Sequence, residues 1–150
     1  MIPKSGAHLT GVHSIRFELA LALPDDHEIA RRLAAAILEQ PLANARDFDD
    51  LHAYVRRAAK RVHGIGELAI YDVALRIGWF GRMEPTRVYL HAGTREGARA
   101  LGLDVSGASL ARAVFPAAMQ ELSAAEIEDF MCIYKAQLGR FRVRRDATSA

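Results

Sequence analysis

The chain has 150 residues, 51% apolar and 25% charged, with 20 Lys and Arg against 18 Asp and Glu for a formal charge of +2. That length lets one domain bury a substantial core without disulfide or metal staples, and the composition excludes disordered and fibrous classes. No apolar run reaches the roughly 20 residues of a membrane helix, and so small a net charge defines no partner by itself.

In chain order, the opening stretch MIPKSGAHLTGVHSIRFELALALPDD has its apolar part interrupted by Arg16 and Glu18, which argues against a secretory signal. Residues 1–24 are expected to fold back onto the core. Asp25 or Asp26 can cap a first helix through DDHEIARRLAAAILEQ, with Ile29, Leu33, Ala36 and Ile37 on one face and Pro41 beyond its end. A second helix is predicted over 46–63, with Phe48, Leu51, Val55 and Ala58 as its apolar stripe. After Gly64-Ile65-Gly66 comes a third, over about 67–79, apolar on most sides and therefore central. The next segment, GRMEPTRVYLHAG, reads as a loop with a short extended or 3₁₀ piece. Thr94 is the predicted N-cap of REGARALG, which Gly102 stops. SLARAVFPAAMQEL reads as one helix kinked at Pro116. Ser123 and Glu126 form a capping box for the last helix, whose inward residues are Ile127, Phe130, Met131, Tyr134 and Leu138. Residues 140–150 make a basic tail with arginines 140, 142, 144 and 145. The expected class is all-α, a single compact domain of about six helices over 25–139.

The single cysteine, Cys132, excludes an intrachain disulfide, and its place in an apolar pattern reads as core. A cytoplasmic location is the default expectation.

Glycines on either side of Ile65 permit positive φ and keep Cβ atoms away from an approaching ligand. The helix that follows offers unpaired N–H groups and the positive end of its dipole, so a phosphate can sit there without any side chain. VHGIGELAIYDVALRIG resembles the hairpin of the helix-hairpin-helix family of non-sequence-specific DNA-binding motifs. VYLHAGTREGARALGL is similar to the segment that follows this hairpin in helix-hairpin-helix DNA glycosylases. The resemblance covers roughly residues 51–103. It implies backbone binding of nucleic acid through Gly64, Ile65 and Gly66, with a monovalent cation at the hairpin as the one cofactor it allows. The family's lysine position holds Leu68, its small-residue position holds Ile70, no aspartate lies near His91, and its four-cysteine cluster motif is absent. The resemblance therefore implies binding and no base-excision chemistry.

Arg56, Arg57, Lys60 and Arg61 close the second helix, with His63 just beyond. Asp47, Asp49 and Asp50 at its start suit the helix dipole, as do basic residues at its end. On a continuous helix, Arg56/Lys60 and Arg57/Arg61 are i,i+4 like-charge pairs that repel, which an anion would relieve. Phosphate contacts of this kind position a ligand without reading its sequence. Arg57 and His63 also have a spacing similar to the Arg-to-His motif of HEPN-type ribonucleases, with Ala58 where a polar residue usually follows.

A second anion site is conceivable at His91, Gly93, Thr94 and Arg95, where the alternative is an ordinary helix cap with exposed arginines. Asp72 either pairs with Arg76 on its own helix or orients His91 or His63. No Walker loop, dinucleotide fingerprint, hydrolase elbow or metal-ligand spacing is present in the sequence. The expected function is non-catalytic binding of nucleic acid, DNA before RNA, with no membrane partner. One alternative is an interaction module, compatible with a protein partner or homodimer, whose hairpin glycines serve close helix packing. Another is a small nuclease using His63 or His91.

Overall fold

The computed structural model describes residues 27–141. Helix occupies 65% of them, and the sheet found there is a ladder of two three-residue strands, so the all-α expectation holds. The expected cap at Asp25 or Asp26, the 1–24 segment and arginines 142, 144 and 145 lie outside the described residues. The chain divides into two units between Glu84 and Pro85, inside the 25–139 span.

The first unit contains α1 (His27–Leu38), α2 (Phe48–Ala59) and α3 (Glu67–Gly81). In α1, Ala30, Leu33, Ala36 and Ile37 are buried while Ile29 is half-buried. The chain then turns through Pro41 and a 3₁₀ turn, Leu42–Asn44. Asp47 caps α2, its carboxylate accepting from the Asp50 N–H at 2.9 Å, and all four predicted stripe residues are buried. The helix is shorter than predicted. It ends at Ala59, where Arg61 and Val62 donate to Ala58 and Ala59 in tighter i→i−3 turns.

Helix α3 packs on α2 and buries Ile70, Tyr71, Val73, Ala74 and Ile77, with the Tyr71 ring edge-on to Phe48 at 6.0 Å between centroids. Its C-terminus is a Schellman turn in which Met83 N–H donates to Gly78 O, and Arg82 takes the left-handed position at φ 54°. A Cβ on Gly78 would stand 2.4 Å from Met83 O, so glycine there is a packing requirement. The reading of α3 as central, drawn from its being apolar on most sides, needs correction. Leu68, Trp79 and Phe80 are exposed, and so is Asp72.

His52 is buried in this unit against Phe48, ring centroids 6.2 Å apart. Burial pushes its pKa down to about 4, Arg56 adds to the shift, and Asp49 opposes it. The folded value lies below the unfolded one near 6.5, so the unfolded chain takes up a proton first as pH falls. Stability is therefore expected to drop between pH 6.5 and 4, by up to about 2 kcal/mol, and this contribution to level off below pH 4. Asp50, held at about 2 mainly by its hydrogen bond from Arg46, acts in a separate window below its ordinary value of 3.8. Urea unfolding across this range should show the upper slope in the wild type and its loss in His52→Gln.

The second unit runs β1 (Arg87–Tyr89), α4 (Ala92–Ala100), β2 (Ser109–Ala111) and α5 (Ala124–Leu138). The strands are antiparallel, with Val88 opposite Leu110. Val88, Leu90, Ala98, Leu101, Phe115, Ala124, Ile127, Met131 and Leu138 make its core. Helix α4 ends as predicted at Gly102, φ 83°, with Leu103 N–H on Ala98 O and Gly102 N–H on Arg99 O.

Three expectations here are corrected. The helix predicted over SLARAVFPAAMQEL is a strand followed by two 3₁₀ turns, Arg112–Val114 and Ala117–Met119. Leu110 is drawn into the ladder, and Pro116 forces Phe115 into extended backbone (φ −82°, ψ 158°), which stops a helix there. The Gln120 side-chain amide then donates to the carbonyls of Phe115 (2.7 Å) and Ala113 (3.3 Å). The N-cap of α4 is His91, which puts Thr94 within the first turn. In α5 the capping box of Ser123 and Glu126 forms as read, but Tyr134 is exposed and Phe130 half-buried.

Candidate functional site

The α2–α3 hairpin holds the first set of predicted residues. Gly64 sits at φ +91°, a conformation that costs an L side chain about 1 kcal/mol or more. Gly66 is the N-cap of α3 at φ −86°, ψ 170°, ordinary extended backbone, with no side-chain cap. A Cβ on Gly64 would come no closer than 4.0 Å to Ile29, and one on Gly66 would meet nothing within 4 Å. Neither glycine serves close helix packing. Ile65 between them is half-buried, whereas Gly64, Gly66, His63, Lys60, Arg57 and Arg61 are exposed.

The basic cluster is less crowded than a continuous helix would make it. Because α2 stops at Ala59, Arg61 leaves the helical row and pairs with Glu39 of the α1 end. Arg56 lies 3.9 Å from Glu67, the first residue of α3. The Arg57 guanidinium lies over the Tyr54 ring at 5.5 Å. The repulsion expected between these charges is thus met inside the protein and calls for no external anion. The side chains of Lys60 and His63 make no hydrogen bond or ion pair among the described residues.

His91, Gly93, Thr94 and Arg95 are brought together, but their groups turn inward. His91 and Thr94 are buried together with Glu128 of α5. The His91 Nε2 bonds the Glu128 carboxylate and lies 2.7 Å from Thr94 Oγ1, which donates to the same carboxylate oxygen at 2.8 Å. Gly93 faces Cys132, whose Sγ would lie 2.6 Å from an added Cβ. Arg95 donates to the carbonyls of Leu90 (2.8 Å), Gly107 (3.0 Å) and Val105, tying the 104–108 loop to the end of β1. The side chains here thus form a buried polar cluster and a loop clamp.

The sequence alone does not single out Glu128, which holds His91. A signal existed. Glu128 lies one turn from both Ala124 and Met131, on the inward face of the last helix, where a carboxylate requires buried partners.

Comparison with protein families, with characterised proteins and with solved structures finds no match. Among the described residues no helix is long and apolar enough to cross a membrane.

Proposed function

We propose that this protein binds nucleic-acid backbone, DNA before RNA, through the α2–α3 hairpin. The reading extends the helix-hairpin-helix resemblance of the sequence and assigns no catalysis. The observation that carries it is Gly66: an uncapped helix N-terminus at a residue that neither its φ nor any neighbour requires to be glycine. Glycine is a tolerable N-cap, but Asn, Asp or Ser would supply the acceptor it lacks. A phosphate oxygen supplies the same acceptor, and the bare Cα leaves it room. Arg57, Lys60 and His63 stand exposed on the same hairpin, with Arg56 and Arg61 adding charge from their surface pairs. Opening the exposed Arg56–Glu67 pair costs little. The interaction-module reading is less well supported, since the hairpin glycines touch no neighbouring helix closely.

The test is a fluorescence titration of duplex and single-stranded oligonucleotides at several salt concentrations. Binding that weakens steeply with salt is expected, and Arg57→Ala/Lys60→Ala should lower the log–log slope by about 2. Gly66→Ser, which supplies its own cap acceptor, should weaken binding without lowering the melting temperature, since its Cβ enters open space. Absence of binding at low salt, or a flat salt response, would overturn the proposal.

A further inference from the structure

Helix α3 buries one side in its own unit, and its outward side carries Leu68, Ala69, Asp72, Arg76, Trp79 and Phe80. Leu68, Trp79 and Phe80 are 48%, 61% and 51% exposed, a concentration of large apolar surface that marks an interaction face. The order of these residues is self-complementary. Leu68 and Phe80 are equidistant from position 74, as are Ala69 and Trp79, and Asp72 and Arg76. At 100° per residue the members of each pair also fall at equal angles on opposite sides of the outward direction.

We propose that this face is a self-association surface on which two copies of the chain pack α3 against α3, antiparallel about a two-fold axis at position 74. A two-fold contact requires that if residue i meets j, then j meets i. Here Leu68 meets Phe80 of the partner subunit, and Trp79 lies over Ala69 of the partner subunit, the small residue giving room for the large one. Asp72 meets Arg76 of the partner subunit, so the two oppositely charged pairs flank the axis. Charge and volume are thus matched at all three contacts, which favours a second copy over an unrelated partner. The seam spans about four helical turns, and one helix face gives a reversible dimer rather than an obligate one. The inference does not rest on the nucleic-acid reading, because it uses none of the hairpin residues.

Sedimentation equilibrium on the full chain, between roughly 5 and 500 µM as a short seam requires, tests it. A monomer–dimer equilibrium is expected, accompanied by a blue shift of Trp79 emission, the chain's only tryptophan. Asp72→Arg and Arg76→Asp should each raise the dissociation constant at least about tenfold, because each sets like charges face to face. An equimolar mixture of the two variants should dimerise again. In that mixture the introduced arginine faces the introduced aspartate, and native Arg76 faces native Asp72. Ala69→Glu should also dissociate the pair, by a route independent of those charges. A wild type that stays monomeric would overturn the proposal, whether or not another segment of the chain covers Trp79. So would charge variants that remain dimeric or fail to recombine.

Discussion

Gly97→Ala is expected to destabilise the second unit by about 3 kcal/mol or more, the upper end of what overpacking costs. On propensity alone the change would help, since alanine is favoured over glycine in a helix interior by about 1 kcal/mol. Packing decides the sign. A Cβ at position 97 would stand 2.4 Å from the Met131 carbonyl oxygen, 3.0 Å from its carbon and 3.2 Å from its Cα. Those atoms belong to the backbone of α5, so no side-chain rotation relieves the clash and the two helices must separate. Separation pulls Ala98, Leu101, Ile127 and Met131 apart at once, and these are core residues of the unit. A unit of this size is stabilised by only about 5 kcal/mol, so little would remain. Thermal and urea melts followed by near-UV signal should show the loss in Gly97→Ala and only the smaller cost of a poorer N-cap, about 1 kcal/mol, in Gly66→Ala, where the added methyl meets nothing.

The contrast between these glycines shows what was legible in the sequence. Gly64 and Gly66 attract attention because they flank one isoleucine at a helix break, and Gly64 does take positive φ. Gly97 sits inside a helical pattern, where it reads as a mild propensity defect. Its necessity comes from α5, more than thirty residues away. The same division runs through the fold. The apolar stripe of α2, the capping box of α5 and the stop at Gly102 are set by residues within one or two turns, and they form as read. The 109–120 segment is apolar enough for a helix, but Leu110 pairs with Val88, twenty-two positions earlier, and the ladder outweighs helix propensity. Thr94 has the composition of an N-cap, yet its hydroxyl is taken by Glu128, thirty-four positions away. In the hairpin the basic residues were visible, whereas the pairing of Arg61 with Glu39 depends on where α1 packs. Local chemistry was readable, and partners chosen by packing were not.

The second large effect is expected at the buried cluster of His91, Thr94 and Glu128. Glu128→Leu should cost up to about 3 kcal/mol, because it removes the carboxylate that both the imidazole and the hydroxyl bond and leaves those two buried groups with their contact to each other. The penalty arises from the groups left behind more than from the bond removed. His91→Leu or Thr94→Val alone should therefore also destabilise the unit, the latter by less, since Glu128 keeps its contact with His91. Replacing all three together, His91→Leu/Thr94→Val/Glu128→Leu, removes every buried polar group of the cluster. It should recover most of the stability lost in Glu128→Leu, because an apolar cluster of similar volume needs no partners. Equilibrium unfolding of the three single variants and the triple variant measures this coupling. Additive losses, with the triple variant the least stable of all, would show that the cluster contributes through shape alone and that its hydrogen bonds carry no weight in holding α4 to α5.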